Sequence, residues 1–346
     1  MRTVQYLFAA AVLLEPTIVQ SQDAKFSFPE ERISRFNIPH AGKAPIIDGN
    51  IDPQEWQQAV RVAGVAWTSS LDYRDRPVSF WVTWDAEHLY IAARSDVLPG
   101  HRLYRSKREK YSSGVVCDDS YEFGLFLHDR NKLPGQSSSF LKFVVNSVGC
   151  GEYMKIYPSI GQNLFNWRPT PRIANRVYDR DGRRWWDMEM AMDLKDLQLP
   201  APNKPDDPLG ILLSAPLKNP EWQWLDVPSA TGHLQNAGFP RAVLTADRPY
   251  VQIEEISGLH DEKINLRSTI HNPATTPVTV KAVVKIVHGK SASPGRIENP
   301  ATVVSAERTI TIPARSLMRF DVPGPFPGWT TGRPIGARGF RCTNTG

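Results

Sequence analysis

The sequence predicts an all-β protein made of two successive sandwiches, and three observations predict it. Apolar and polar residues alternate in short runs, and turn-forming Gly, Pro, Asn and Asp separate those runs. Near Tyr250 the pattern changes from aromatic-rich short runs to longer, regular ones with few aromatics. The composition agrees, with 29 Pro and 10% aromatic residues. A length of 346 residues suits about two domains.

Arg2, the apolar run from Val4 to Leu14, and Val19-Gln20-Ser21 with its small residues form a secretory signal, residues 1–21, too short to span a bilayer. Cleavage is expected after Ser21, with Ala24 as the alternative site, and the apolar run is followed by no Cys that lipid could modify. No later apolar run is long enough for a membrane helix, so the expected location is outside the cell, in the periplasm or at the cell surface. An N-terminal extension, residues 22–45, follows. The formal net charge of +5 is mild, and the densest basic cluster, Arg102, Arg105, Lys107, Arg108 and Lys110, reads as a solvated loop rather than a nucleic-acid surface.

The first sandwich is expected over residues 46–246. Ile46-Ile47 reads as a strand and Asp48-Gly49 as a tight turn, and a single-turn helix then starts with Asp52 as N-cap, Pro53 at the first position and Glu55 reaching back to the cap. Ile51 and Trp56 occupy the two positions of a hydrophobic staple. In residues 78–94, Val78, Phe80, Val82 and Trp84 share one strand face. Leu89, Ile91 and Ala93 share another, after the turn Asp85-Ala86-Glu87-His88.

Residues 118–127 and 140–150 read as a second hairpin. Pairing Leu127 with Phe140 places Phe123 opposite Val144, Tyr121 opposite Asn146, and Cys117 opposite Cys150. A Cys117–Cys150 disulfide follows from that register in an exported chain, and a slip of one residue would put the two sulfurs on opposite faces. Residues 172–178 and 184–192 are strands around a turn at 179–182, residues 193–197 a short helical turn, and residues 209–215 an apolar strand. The segment 222–233 is polar and aromatic, and residues 238–244 close the unit.

Residues 251–256, 263–271, 278–287, 303–312 and 316–322 are the strands of the second unit, residues 250–323, which reads as an immunoglobulin-like sandwich. It is incomplete, since such a sandwich has about seven strands. The irregular tail, residues 324–346, supplies none of the others, and a truncated or frameshifted end is expected there.

Several pieces of the first sandwich resemble the family 9 carbohydrate-binding modules, in that family's order. They are Ile47-Asp48-Gly49 with Glu55-Trp56; the stretch from Val82 to Ala92; Asp118-Asp119-Ser120-Tyr121-Glu122; the stretch from Phe143 to Gly149; Asn166-Trp167; and the stretch from Trp186 to Leu197. The resemblance implies a jelly-roll-like β-sandwich without catalytic activity of its own. It also implies a polysaccharide or oligosaccharide partner, a role beside polysaccharide-degrading enzymes with any catalytic domain in a longer parent chain, and in some members a structural calcium ion. The alternative is a structural or adhesion domain of a larger exported protein without a working sugar site.

Sugars present apolar C–H faces ringed by hydroxyls, so a binder needs aromatic platforms flanked by planar amides, carboxylates and Arg. Ten Trp are available. Trp56, Trp84 and Trp186 sit in patterned core positions, whereas Trp167, Trp222 and Trp224 lie in polar, loop-like contexts. The expected sugar contacts are Trp167 and Trp222 for stacking, Arg94 and Asn146 for hydrogen bonds to adjacent hydroxyls, and Glu122 as an acceptor. The bland alternative is that Arg94, Asn146 and Glu122 satisfy one another.

Asp48, Asp118 and Asp119 are the candidate metal ligands, although no contiguous calcium loop exists and a hard cation needs six or more oxygens. A glycosidase pair drawn from Asp118, Asp119 and Glu122 is disfavoured. Catalytic carboxylates face each other across a sugar at roughly 5 to 9.5 Å, while successive strand residues point to opposite faces. Haem binding through Met154, Met188, Met190, Met192, His88 or His101 is a further alternative. The three alternating Met of residues 188–192 read as core instead.

Overall fold

The computed structural model describes residues 6–9, 34–67, 73–106, 109, 114–127, 139–157, 162–164, 167–197, 209–218, 223–227, 239–257, 265–293 and 296–322. The strands, in chain order, are β1 (Tyr6–Ala9), β2 (Arg35–Pro39), β3 (Val60–Trp67), β4 (Tyr73–Trp84), β5 (His88–Val97), β6 (Ser120–Leu127), β7 (Phe140–Asn146), β8 (Gly151–Tyr157) and β9 (Gln162–Leu164). Then come β10 (Arg172–Arg180), β11 (Arg183–Asp193), the one-turn helix α1 (Leu194–Leu197), β12 (Leu209–Leu217), β13 (Gln223–Asp226) and β14 (Arg241–Thr245). The last five are β15 (Tyr250–Ser257), β16 (Asn265–Asn272), β17 (Val278–Ser293), β18 (Arg296–Ile312) and β19 (Ser316–Val322). No helix among the described residues is long and apolar enough to cross a membrane.

The all-β expectation holds. One hydrogen-bonded path runs β10-β11-β5-β4-β3-β13-β12-β6-β7-β8-β9 and folds over on itself as a β-sandwich. Phe80 of β4 meets Tyr121 and Phe123 of β6 edge-on at 6.3 and 6.4 Å, and Tyr121 stacks on Trp186 of β11 at 4.0 Å. Alternation makes this core: Val78, Phe80, Val82, Leu89, Ile91, Ala93, Trp186, Met188, Met190 and Met192 all point inward. The Met run is therefore packing, as the alternation implied.

Hairpin β4–β5 closes as expected, with Trp84 opposite Leu89 and Val82 opposite Ile91. Asp85 Oδ1 fastens its turn by accepting from the backbone N–H groups of Glu87 and His88, each at 2.8 Å. Hairpin β10–β11 closes through Asp181 and Gly182, both at positive φ (52° and 71°), the Asp-Gly signature of a tight primed turn.

Other expectations are corrected. Ile46-Ile47 is not a strand, and the segment after Asp52 is a chain of turns rather than a helix. Asp52 still caps it, its Oδ1 accepting from the Gln54 N–H at 2.7 Å, but Glu55 turns away and accepts from the Ile46 N–H at 3.2 Å. Ile51 and Trp56 do share a buried cluster, with Trp81, Tyr90 and Ala92. Strand β2 lies inside the expected extension: it pairs in parallel with β14, and its Ile38 is wholly buried in the core. β3 and β8 add strands that local alternation did not single out.

The β6–β7 pairing is one residue off the expected register: Phe123 faces Phe143 and Ser120 faces Asn146. β7 stops at Asn146 because the Asn146 Oδ1 accepts from the N–H groups of Val148 and Cys150, turning the chain into β8. Cys117 lies in a short turn, Val115–Cys117, before β6 begins. The expected Cys117–Cys150 bond is accordingly not formed. Cys117 is engaged in a disulfide, while the buried Cys150 keeps its thiol, which donates to the Glu109 carbonyl.

The expected strands of the second unit are present as β15 to β19. β15, β16 and β19 pair side by side, while β17 and β18 form a long hairpin against which β1 adds at Lys285 to His288. Asn272 holds the turn after β16, its Nδ2 donating to carbonyls of Thr276, Ile312 and Pro313. The core is continuous across residue 250, since Tyr250, Ile253, Ile270, Val280, Ile310 and Phe320 belong to the main hydrophobic cluster. β15 touches β3 at Gln252 and Arg61, and the Gln252 amide donates to the carbonyls of Gln57 and Ala59 at 3.0 and 2.9 Å.

Candidate functional site

The outer face of β11 explains why the opening segment is built as it is. Asp187 and Glu189 alternate with the core methionines, so both carboxylates leave the sandwich on its outer side, yet both residues are fully buried. The segment from Asp48 to Trp56 covers them. Glu189 Oε2 accepts from the N–H groups of Asp48 (3.1 Å) and Gly49 (2.7 Å), and its Oε1 accepts from the Trp56 indole at 2.8 Å. Burial pushes the Glu189 carboxyl above its ordinary range, and the indole and amide donors pull part of the way back.

Asp187 takes a two-pronged bond from Arg94, Nε to Oδ1 at 2.7 Å and Nη2 to Oδ2 at 2.6 Å, and a third from the Tyr178 hydroxyl at 3.2 Å. Arg94 Nη2 also donates to the Ile51 carbonyl. Burial works against the Arg94 cation, but the Asp187 carboxylate outweighs it, and its pKa stands above the ordinary value. Arg94 is thus a brace between β5, β11 and the opening segment, not a free hydrogen-bonding arm.

Asn146 and Glu122 are also placed inside the protein. Asn146 is wholly buried; its Nδ2 donates to Asp118 Oδ2 at 2.9 Å, and its Oδ1 holds the β7–β8 turn. Glu122, 2% exposed, faces the Lys142 ammonium at 2.7 Å. The neighbouring Glu152 accepts from the Val116 N–H at 3.2 Å, and burial raises its carboxyl's pKa. Arg94, Asn146 and Glu122 thus brace the interior through Asp187, Asp118 and Lys142, and not through one another as the bland alternative had it.

The expected metal ligands are spent in the same way. Asp118 Oδ1 accepts from the Ser106 N–H and hydroxyl at 2.8 and 2.7 Å, and Asp119 accepts from the N–H groups of Tyr104 and Lys218. Asp48 Oδ1 accepts from the Asn50 N–H at 2.8 Å, over the other layer. Among the described residues no three His, Cys, Asp or Glu side chains converge on one point. Asp48, Asp118 and Asp119 thus each hold a backbone N–H of a neighbouring loop.

Trp167 is the expected contact that remains at the surface. It is half-buried, packs against the main core cluster, and meets Phe143 of β7 edge-on at 4.8 Å. Phe143 is in turn braced edge-on by Tyr153 of β8 at 5.8 Å. The indole is thus a fixed ring on the β7–β8 side of the sandwich, followed directly by the exposed Arg168. Trp222 lies outside the described residues.

A second aromatic group escaped the sequence reading. Tyr178 and Trp185 are directly paired across β10 and β11, and both are half-buried. Arg176 lies over the Tyr178 ring at 5.1 Å and Arg183 over the Trp185 ring at 4.7 Å. The Asp-Gly turn and the alternation of 183, 185, 187 and 189 would have placed Trp185 on the outer face.

No family model matches the chain. No curated protein matches it either. Among solved structures, the chain is similar to a family 9 carbohydrate-binding module from Caldicellulosiruptor kristjanssonii in complex with cellotriose, at 16% identity over 62% of this chain and 95% of that one, with a TM-score of 0.38. The same description in complex with glucose matches at 16% identity over 62% and 97%, with a TM-score of 0.39. A protein from Bacteroides uniformis matches at 12% identity over 61% and 99%, with a TM-score of 0.39.

Proposed function

We propose that this chain is an exported, noncatalytic carbohydrate-binding protein or module that presents Trp167 as a stacking platform for a polysaccharide or oligosaccharide. The observation that carries the reading is the braced indole of Trp167, a planar apolar ring held partly at the surface by Phe143 and followed by an exposed Arg. The order of sequence motifs shared with family 9 modules supports the same reading. Asp118, Asp119 and Glu122 are buried and bonded to internal donors, which supports a role in holding loops rather than cleaving a glycosidic bond.

A glycan array with the wild-type chain, Trp167→Ala and Trp222→Ala tests the proposal. Loss of about tenfold or more in affinity on removing Trp167 is expected, the size of a stacking contact plus the apolar area behind it. Binding that is absent, or indifferent to both substitutions, favours the alternative of a structural or adhesion domain. The internal bracing of Arg94, Asn146 and Glu122 is the observation on that side.

A further inference from the structure

We propose that the β10–β11 hairpin is a second glycan site, selective for acidic polysaccharides whose sugars carry carboxylates, and built from two arginines laid on neighbouring aromatic rings. The inference rests on the carbohydrate reading for the sugar chemistry of the ligand and on the hairpin's own geometry for its charge.

Tyr178 and Trp185 are register partners, so their side chains leave the same face with Cβ atoms about 5 Å apart. Arg176 precedes Tyr178 by two residues and Arg183 precedes Trp185 by two. On antiparallel strands those two arginines flank the aromatic pair from opposite ends, on the same face. Each lies over the ring on its own strand, at 5.1 and 4.7 Å, so the aromatic pair carries a guanidinium at either end. A guanidinium over a ring loses rotamer freedom while keeping N–H groups at its rim, and a carboxylate matches that fork.

Each arginine has one competing partner, and only one of the two is charged. Arg183 pairs with Asp96 at 2.7 Å, the arginine side chain 58% and the aspartate 13% exposed, and Arg176 donates to the amide oxygen of Asn50 at 3.2 Å. The arginine end of that pair is open to water, where an ion pair is worth less and exchanges more readily than a buried one. The half-exposed edges of Tyr178 and Trp185 supply apolar surface for sugar C–H groups beside the charge. A uronic acid residue offers both features within one ring, which a bare small anion does not. Paired strands and a tight Asp-Gly turn hold the whole constellation, so little ordering is needed on binding.

The test compares the full chain's binding to polygalacturonate and to the same polymer with its carboxylates methyl-esterified. The wild type is set beside Trp167→Ala and the double variant Arg176→Gln/Arg183→Gln, whose folding is checked by near-ultraviolet circular dichroism. Expected are tighter binding of the charged polymer, weakening with added salt, and a loss of about tenfold in the double variant, with the preference for the charged over the esterified polymer kept in Trp167→Ala. A companion Arg176→Lys/Arg183→Lys variant, which keeps the charge but not the fork, is expected to recover part of the affinity.

Equal binding of the two polymers, or a folded double variant that binds as the wild type does, overturns the inference. So does a short single-stranded DNA that binds equally well with the same Arg dependence, because the hairpin would then be a general polyanion surface. Neutral glycans bound through Trp167 with no preference for the acidic polymer would sink this site and leave the Trp167 proposal standing. Acidic binding lost only in the arginine variant, with no neutral glycan bound, would do the reverse.

Discussion

One face of one strand, the outer side of β11, carries two opposite treatments of polar residues. Asp187 and Glu189 are wholly buried beneath the opening segment, each carboxylate oxygen occupied by a named donor. Two to six residues earlier, Arg183 and Trp185 stand on the same face at the turn end of the hairpin, where an exposed arginine rests on a ring and pairs with Asp96. The difference is cover, not composition. Where a loop supplies N–H donors, a carboxylate is drawn inside and becomes structural; at the turn end of the hairpin the same alternation leaves Arg183 exposed and Trp185 half-buried.

Substitutions at the two ends should therefore differ sharply. Glu189→Ala strands the Trp56 indole and two backbone N–H groups in a buried place and is expected to cost about 3 to 5 kcal/mol in chemical denaturation. A loss under about 1 kcal/mol would mean that the opening segment does not depend on this carboxylate.

Gly49→Ala comes next. Gly49 sits at φ +88°, and a Cβ there would lie 3.0 Å from the Asn175 backbone, so strain and contact together are expected to cost about 1 to 3 kcal/mol. An unchanged midpoint would show that the segment can lift off β10.

Glu189→Gln isolates the charge. Because burial raises the folded-state pKa of this carboxyl above the unfolded value of 4.5, the folded state holds the proton more tightly. The wild type's stability relative to the Gln variant should be greatest below that value and decline as pH rises through the raised pKa. A difference that grows with pH would reverse the assignment. At the exposed end, Arg183→Ala is expected to change stability by no more than about 0.5 kcal/mol, because a surface pair and a surface cation–π contact contribute little. A larger loss would show that the hairpin end is structural as well.

The legible part of the molecule follows from local chemistry. Alternation gave the β4–β5 hairpin, the strands around Asp181-Gly182, the core Met run and the five strands after residue 250. Asp52 was readable as a cap because its donor is two residues away. The candidate site was less legible, and Trp167 was found only because its polar context marked it as a surface ring. Arg94, Asn146 and Glu122 looked like ligand contacts in the chain, since a sequence shows a polar residue but not the partner that consumes it.

Chain pattern alone thus determined an all-β architecture, its major hairpins and its inward faces, because a period of two is written residue by residue. Only the tertiary structure decided the register of β6 against β7, and with it the absence of a Cys117–Cys150 bond. It also decided the inclusion of β2 and the sorting of polar residues into braces and surface. Those depend on which distant segment covers which face: Glu189 meets Gly49 across 140 positions of chain and Arg94 meets Asp187 across 93. Partners that far apart leave no local period to read.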